Sequence, residues 1–450
     1  MKTIFITSFH QFISRNILQT PILEGFCAMP DVHVIIIAPA DKREYFEREF
    51  SRDRVRIEYV PTSRKANGFR SLLFKRSVQA LGDLGYKNVL RGFRPSALRS
   101  LLANVFFYYP LRALGKFSAV HAFIRFLGSR LVANPALTKI FAAHAPDLVF
   151  ATDMQNENDV ALMIEAKRRG VKIVSMVRSW DNVEMYGGVL RVIPDSLLVW
   201  GDFSKEGILK VNAIDPGMVK AVGVPHYDRY LAGPTMTREA FLRSLGADPR
   251  RKLILFTPVG DMYLAENDAD RFVLAELTKM EANILVRMPP ADTVSWGTFT
   301  PPPNVFFYQP GTAIDAVGRR EISRADDDHL INSLHFAEVV VSGPSSIMLD
   351  AAAVGKPVFL FGFDAQPKSY RESIASLYDS RHLQAIISRG AARFTRNVEE
   401  FRAAIAAYLA HPDADAAARA QAVAYVCYKA DGASCARVLD ALKSVLFSRA

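Results

Sequence analysis

The chain has 450 residues, half of them apolar, and a formal net charge of +10. These values predict a globular protein of two or three domains and favour a partner that carries negative charge. Its three cysteines, Cys27, Cys427 and Cys435, are too few and too widely spaced for a disulfide framework or a metal site, which indicates a reduced, cytoplasmic protein. No signal peptide is recognisable, and no apolar run reaches the roughly 20 residues of a membrane-spanning helix.

Short apolar runs alternate with helical patterns along most of the chain. The first series of predicted strands is 2–9, 31–40, 54–62, 147–153, 171–179, 196–202 and 219–225. The second series is 252–259, 283–290, 304–310, 337–343 and 356–363. Most runs are apolar on both faces, which is typical of parallel strands covered by helices. We therefore expect two Rossmann-like α/β domains at 1–230 and 250–397, followed by C-terminal helices at 398–450.

Residues 62–146 interrupt this alternation, and we interpret them as a basic helical insertion in the N-terminal domain. They hold about fourteen Lys and Arg and a single acid, Asp83. The cations alternate with Phe, Tyr, Leu and Val, as in amphipathic helices that lie on an anionic membrane surface. Helices with a solvated basic face and an apolar side packed on the domain would give the same pattern. No nucleic-acid-binding motif accompanies the charge, so we expect no nucleic acid partner.

The segment 342–346, Ser-Gly-Pro-Ser-Ser, places small and hydroxyl residues between a predicted strand and a predicted helix. In doubly wound sheets, ligands bind outside the carboxyl ends of strands, where helix N-termini attract anions such as pyrophosphate. Gly343, Ser345 and Ser346 suit that position, and Asp350 could accept hydrogen bonds from ribose hydroxyls. The alternative is an ordinary helix with one of the two serines as its N-cap.

The stretch 326–364 resembles the nucleotide-binding half of GT-B glycosyltransferases. The closest likeness is to bacterial surface-polysaccharide transferases and CDP-glycerol glycerophosphotransferase-like proteins, which share its Ser-Ser-x-x-x-Asp turn and the following Gly-Lys-Pro at 355–357. Five other segments resemble the same group: 179–182, 198–209, 222–230, 284–292 and 427–442. The resemblance implies two Rossmann-like domains facing a central cleft, with the donor nucleotide on the C-terminal domain.

One position departs from the glycerophosphotransferases. Those proteins carry a His-Pro pair in the loop after the second strand of the C-terminal domain, where this chain has Pro289-Pro290. The imidazole that would act on a phosphoryl centre is missing, which favours glycosyl transfer over glycerol-phosphate transfer. Arg287, just before this loop, is a candidate phosphate ligand, and a structural salt bridge is the equal alternative.

Glycosyl transfer with inversion needs a base that takes a proton from the acceptor hydroxyl. His10 is the first candidate, because transferases of this fold often place a histidine in the loop after the first strand. A surface or helix-capping role is its alternative. Asp181, in another strand-end loop, is the rival base. Arg15, Asn16 and Asn182 are candidate ligands for the acceptor or a phosphate.

The sequence has no Asp-x-Asp pair typical of a metal site, and the acids at 326–328 fit the start of a helix, so we expect metal-independent chemistry without a cofactor. With the resemblance, this predicts transfer of a sugar from a nucleotide-sugar donor to a lipid-linked or surface-polysaccharide acceptor. We expect the protein to act at the inner face of the cell membrane, as a peripheral protein. The alternatives are a peripheral membrane protein that binds a nucleotide sugar without turnover, and a glycerophosphotransferase-like enzyme. An epimerase would need paired acid and base residues, which we do not identify.

Overall fold

The computed structural model describes residues 1–62, 64–82, 106, 109–185, 188–264, 266–290, 292–313 and 320–448. Within the basic segment, residues 63, 83–105 and 107–108, and with them Asp83, lie outside the described part of the chain. Two compact units are present: Met1–His226 with Val426–Lys429 and Ala433–Ala450, and Tyr227–Tyr425 with Ala430–Gly432. Within the described ranges, no helix is both long and apolar enough to cross a membrane.

The first unit is built on a seven-stranded parallel sheet. Its strands are β1 (Lys2–Thr7), β2 (Val32–Pro39), β3 (Val55–Val60), β4 (Leu148–Ala151), β5 (Lys172–Met176), β6 (Ser196–Val199) and β7 (Val219–Ala221). They lie in the order β3-β2-β1-β4-β5-β6-β7. In the register, Ile4 of β1 lies beside Val34 on one side and Leu148 on the other. All three side chains are fully buried, as expected for strands covered on both faces.

Helices connect these parallel strands. They are α1 (Gln11–Ile13), which continues into a π-helical turn (Ser14–Leu18), α2 (Pro21–Cys27), α3 (Arg43–Phe50), α4 (Arg64–Leu81), α5 (Tyr109–Leu114), α6 (Ser118–Leu131), α7 (Pro135–His144), α8 (Glu157–Arg168), α9 (Asn182–Met185) and α10 (Asp202–Val211).

The second unit has a six-stranded parallel sheet. Its strands are β8 (Lys252–Thr257), β9 (Ala282–Arg287), β10 (Val305–Tyr308), β13 (Val339–Ser342), β14 (Val358–Phe361) and β15 (Arg393–Thr395). They lie in the order β10-β9-β8-β13-β14-β15, and a separate hairpin joins β11 (Thr312–Ala313) to β12 (Arg320–Glu321). The predicted α/β fold with two parallel sheets is confirmed, and each predicted strand coincides with an observed one. The hairpin and β15 were not predicted.

The helices of the second unit begin directly after its boundary. They are α11 (Tyr227–Leu231), α12 (Arg238–Ser244), α13 (Ala269–Leu277), α14 (Arg324–Phe336), α15 (Ile347–Ala353), α16 (Arg381–Ile387), α17 (Val398–Ala410) and α18 (Ala416–Cys427). The last helix, α19 (Ser434–Leu446), belongs to the first unit. A Cβ on Gly25 of α2 would lie 2.6 Å from Cδ1 of Leu439, so α2 and α19 pack closely because this position has no side chain.

Candidate functional site

The turn after β13 lies at the carboxyl edge of the second sheet. β13 ends at Ser342, whose buried hydroxyl donates to the carbonyl oxygen of Gly343 at 2.9 Å. Ser345 is partly exposed and Ser346 is exposed, and α15 begins directly after them at Ile347. The two serines therefore stand at the position where α/β sheets bind their ligands.

Neither serine caps the helix that follows. Ser346 has helical backbone angles, φ −65° and ψ −16°, and its side chain accepts no N–H from α15. Within the described part of the chain, the hydroxyls of Ser345 and Ser346 have no hydrogen-bond partner. The structure thus does not show the capping role, and both hydroxyls are available to a ligand. Asp350, one turn into α15, is 8% exposed, so only a small part of its carboxylate surface is accessible.

Gly343 allows this turn to lie against the loop after β8. A Cβ on Gly343 would overlap Cγ2 of Val259, so a larger residue would separate the two loops. The next residue of the β8 loop, Gly260, has a φ of +88°, in the region that favours glycine, and faces the carboxylate of Asp292. Loops that follow β8, β9 and β13 therefore meet at one edge of the sheet.

A single buried carboxylate holds the β8 loop in place. Asp270 accepts the backbone N–H groups of Val259 at 2.8 Å and Gly260 at 3.0 Å, and the side-chain amide of Asn267 at 2.6 Å. Burial raises the pKa of Asp270 to about 6, against the stabilising effect of these hydrogen bonds. Asp270 is therefore a positioning group beneath the candidate donor site.

Arg287 lies at the end of β9 and is occupied by protein contacts. It is 7% exposed, donates to the carbonyl oxygen of Asp326 at 3.1 Å, and lies 3.1 Å from Nδ1 of His329. Its guanidinium is 5.1 Å from the centre of the Tyr308 ring, which stacks on His329. Burial and Arg287 lower the pKa of His329 to about 3. These contacts favour a structural role for Arg287, although its partners are an imidazole and a carbonyl rather than a carboxylate.

The acids at 326–328 have structural partners. Asp326 forms a capping box with Ser323 at the start of α14. Asp327 and Asp328 both pair with Arg229, and Asp327 also accepts the hydroxyl of Tyr230 at 3.2 Å. Within the described ranges, no group of three or more His, Cys, Asp or Glu side chains is arranged to hold a metal ion.

In the first unit, His10 caps the short helix α1. Its Nδ1 accepts the N–H of Phe12 at 3.3 Å, so the proton of the neutral ring lies on Nε2. Burial, with the charges of Arg178 and Lys42, lowers the pKa of His10 to about 2. An imidazole in this state is a poor general base, because its remaining nitrogen already carries a proton. The capping alternative is the one that the geometry favours.

The loop after β5 presents Asp181 differently. Asn182 is buried and accepts the backbone N–H of Ser179 at 2.9 Å, so it shapes the loop rather than reaching a ligand. Trp180 is also buried, 6.2 Å from the ring of Phe203, which makes it a packing residue. Asp181 is partly exposed, and its carboxylate has no hydrogen-bond partner within the described residues. It is accessible to an acceptor hydroxyl.

A small cavity lies at the carboxyl ends of the strands of the first sheet. The residues lining it are Ile13, Asn16, Ile17, Thr152, Met176, Val177, Arg178, Trp200, Pro225 and His226. Arg15 does not line the cavity but donates its Nε–H to the side-chain oxygen of Asn16 at 2.9 Å. Burial lowers the pKa of His226 well below its usual value, and nearby Arg15 lowers it further. The cavity therefore combines a guanidinium with an uncharged imidazole and an amide.

Arg178 is held at this cavity by a buried acid. Its Nη1 lies 2.6 Å from Oδ2 of Asp153, which is 1% exposed. Behind Asp153 lies a second acid, Asp159, whose Oδ1 accepts the hydroxyl of Thr7. Burial raises the pKa of Asp159 well above its usual value, and the charge of Asp153 raises it further. Burial also raises the pKa of Asp153, and its pairing with Arg178 opposes that shift.

Sequence reasoning missed Arg178, Asp153 and Asp270. Arg178 and Asp153 lie at the carboxyl-terminal ends of the predicted strands 171–179 and 147–153, and that position is the signal that could have identified them. Asp270 lies inside a helix and is ten residues from the loop that it holds. Its contacts with that loop depend on tertiary structure, which a local pattern does not show.

Comparison with known proteins places the chain in a family. Residues 193–444, more than half of the chain, match the family described as CDP-glycerol:poly(glycerophosphate) glycerophosphotransferase. The chain belongs to that family. The match includes the complete second sheet with the serine turn, and within it the loop after β9 carries Pro289-Pro290 without a histidine. No curated protein sequence matches the chain significantly.

Solved structures show the same two-sheet fold. A putative UDP-N-acetylglucosamine 2-epimerase from Listeria monocytogenes aligns with a TM-score of 0.58 and 14% identity, covering 100% of this chain and 97% of that one. The UDP-GlcNAc 2-epimerase of Neisseria meningitidis bound to UDP-GlcNAc gives 0.53 and 11%, covering 98% and 99%. A glycosyltransferase from Rickettsia africae gives 0.52 and 11%, covering 100% and 99%. The family member described here therefore has the GT-B fold.

Proposed function

We propose that this family member is a glycosyltransferase. It binds a nucleotide-sugar donor at Gly343–Asp350 and transfers the sugar to a lipid-linked or surface-polysaccharide acceptor at the inner face of the cell membrane. The observation that carries the proposal is the serine turn: two hydroxyls without protein partners within the described residues, at the carboxyl edge of a parallel sheet.

The surroundings of the turn support a nucleotide site. The β8 loop packs against Gly343 and is fixed from below by Asp270, so the backbone around the turn is preorganised. Structures of the same fold include a Neisseria epimerase bound to UDP-GlcNAc and a Staphylococcus aureus protein solved with UDP. A uridine diphosphate donor is therefore the first to test.

The first unit supplies the acceptor side in this proposal. Asp181 is the base, since its carboxylate is accessible while His10 is held as a cap. Arg178 and Asn16, at the cavity of the first sheet, suit an anionic group on the acceptor, such as a phosphate. In this proposal transfer requires no metal, because the hydroxyl groups of the serine turn stabilise the departing diphosphate.

Two alternatives follow from the comparisons. Family membership supports glycerol-phosphate transfer from CDP-glycerol, and the epimerase-like fold supports chemistry on the donor sugar itself. Without turnover, the chain would be a nucleotide-sugar-binding protein. The proline at position 289, where the family has a histidine before Pro290, favours sugar transfer over glycerol-phosphate transfer.

Donor identity can be measured by thermal shift with UDP, GDP, CDP, CMP and dTDP and their sugar or glycerol derivatives. One nucleotide class should stabilise the wild type, and Ser346→Ala should weaken its binding roughly ten-fold by removal of one hydroxyl contact. Ser388→Ala, which changes a serine outside the turn, is the matched control. Unchanged affinity in Ser346→Ala and in Asp350→Ala would exclude this turn as the donor site.

The reaction class is then read from the products of the stabilising donor, with membrane glycolipid extract as acceptor and excess chelator present. Labelled sugar in the glycolipid fraction supports glycosyl transfer. Labelled glycerol phosphate there identifies the glycerophosphotransferase alternative, and an epimerised donor identifies the epimerase. Activity that appears only after Mg²⁺ or Mn²⁺ is added would contradict metal-independent transfer.

A further inference from the structure

Helix α6 exposes large apolar side chains. Phe117, Phe123, Phe126, Leu127 and Leu131 are 60%, 59%, 54%, 38% and 40% exposed, and we call this set the aromatic face. The four that lie within α6 follow helical spacing, so they share one side of the helix. A contiguous exposed apolar surface of this kind marks an interaction site in an otherwise well-packed protein.

The opposite side of α6 packs on the first unit through small and polar residues. A Cβ on Gly128 would overlap the ring of Phe74 in α4, and His121 is 5% exposed. Arg125 donates to the carbonyl oxygen of Leu190 at 3.4 Å. Helix α6 therefore buries small and polar residues and exposes large apolar ones, the opposite of an ordinary surface helix. A solvated basic face would require the large apolar residues to pack inward, and in α6 they point outward.

The apolar surface extends beyond α6. Phe69 and Leu72 of α4 are 75% and 50% exposed, and Tyr109 and Leu114 of α5 are 60% and 46% exposed. Helix α4 contacts both α5 and α6, so these side chains belong to one group of adjoining helices. Within the described residues, most of the exposed large apolar side chains of the whole chain lie in this group.

Positive charge borders the aromatic face. Lys116 and Arg130 are exposed beside it, and the guanidinium of Arg130 lies 5.2 Å from the centre of the Phe126 ring. From 109 to 131 the chain has no Asp or Glu. Exposed aromatic rings suit an apolar interior, and cations without neighbouring acids suit anionic groups at its border. Together they are complementary to a surface that is apolar in its interior and negatively charged at its border.

We propose that the aromatic face docks the protein on a membrane that contains anionic lipids. The rings enter the boundary between headgroups and acyl chains, and Lys116 and Arg130 contact the headgroups, as in helices that lie in the membrane plane. This deepens the proposed function and rests on it for the link to a lipid-linked acceptor, which is confined to the bilayer. The docking itself follows from the exposed face alone.

The test is co-sedimentation of the full chain with vesicles of phosphatidylcholine, alone or mixed with phosphatidylglycerol, at low and high salt. Wild type should bind the anionic vesicles, with a fraction that salt does not remove. Phe123→Ser/Phe126→Ser should lose the salt-resistant fraction. Lys116→Glu/Arg130→Glu should lose the preference for anionic lipid, with binding at low salt weakened more than about ten-fold.

Matched controls change the same number of charges and the same number of large apolar side chains elsewhere. Lys220→Glu/Arg371→Glu alters exposed cations, and Met236→Ser/Phe447→Ser alters exposed apolar residues outside the face. Both should bind vesicles as wild type does. Circular dichroism and a melting curve for each variant show that it is folded.

Three results would overturn the proposal. The first is wild type that binds anionic and neutral vesicles equally poorly at low salt. The second is face variants that bind as their controls do. The third is a wild-type dimer, seen by light scattering, that becomes monomeric in Phe123→Ser/Phe126→Ser with vesicle binding unchanged, which would make the face an interface between copies. Nucleotide thermal shifts on the same proteins are independent of these results, so a failed donor site and a failed docking face are distinguishable.

Discussion

At the scale of single residues, Asp270 links the stability of the second unit to its candidate site. Its carboxylate accepts hydrogen bonds from Val259 and Gly260, and it is almost fully buried. Burial favours the protonated form, which explains why its pKa rises to about 6 although three donors surround it.

The raised pKa of Asp270 predicts a pH dependence of stability. The folded protein binds this proton more tightly than the unfolded chain does, so the stabilisation is complete below about pH 4 and is lost as pH rises through about 6. The loss should amount to about 3 kcal/mol, since each pKa unit corresponds to about 1.4 kcal/mol. This loss is measured by unfolding in urea at several pH values, with hydrogen exchange in peptides of the second unit as the signal. In Asp270→Asn the free energy of unfolding should change less with pH between 4 and 6 than in wild type. An equal pH dependence in the two proteins would contradict the raised pKa of Asp270.

Gly343 predicts a specific steric coupling between two loops. Gly343→Ala should destabilise the second unit by about 1 to 3 kcal/mol, because the new Cβ overlaps Val259. The double variant Gly343→Ala/Val259→Ala removes the clash and should recover most of the loss, while Val259→Ala alone is the control. If the two substitutions have additive effects in thermal unfolding, the loops are not in contact as described.

The two candidate bases predict opposite outcomes. Asp181→Asn should reduce turnover roughly 10²- to 10⁴-fold with little change in donor affinity, because only the proton acceptor is removed. His10→Asn keeps an oxygen that can cap α1, so its turnover should stay near that of wild type. Steady-state kinetics with the identified donor measures both. Loss of turnover in His10→Asn alone would return the role of base to the histidine.

At the scale of elements, strands could be predicted and long-range packing could not. Each buried strand carries its own apolar pattern, so the predicted runs of both sheets coincide with observed strands. The strand β15 has only three residues, Arg393–Thr395, and lies at the sheet edge, where no apolar run is needed. The contact of Gly25 with Leu439 joins opposite ends of the chain, and neither helix shows it in its own sequence.

The placement of α19 predicts which sheet depends on it. Leu442 is fully buried, and α19 contacts β4 and β5 of the first sheet. Leu442→Ala should therefore cost about 2 to 5 kcal/mol in the stability of the first unit. Hydrogen exchange should accelerate in peptides of 148–176 and remain unchanged in peptides of 252–287. Equal acceleration in both sets would contradict the placement of the helix.

At the scale of the whole molecule, the excess positive charge and the candidate donor site lie in different parts of the chain. The cations of 62–146 exceed its one acid by more than the net charge of the entire protein. The partner-free serine hydroxyls lie instead in the second unit, which the family match covers. The sequence could predict that turn from its small residues. It could not show that Arg287 and His10 are occupied by protein contacts, because those contacts depend on burial and on neighbours distant in sequence.

Hydrogen exchange with bound nucleotide locates the donor site on the chain. The nucleotide that gives the largest thermal shift is added to the full chain, and exchange is compared with and without it. Peptides covering 343–350 and 258–262 should exchange more slowly, because the donor contacts the serine turn and stiffens the adjoining β8 loop. Protection confined to the first unit, with 343–350 unchanged, would contradict the donor site proposed here.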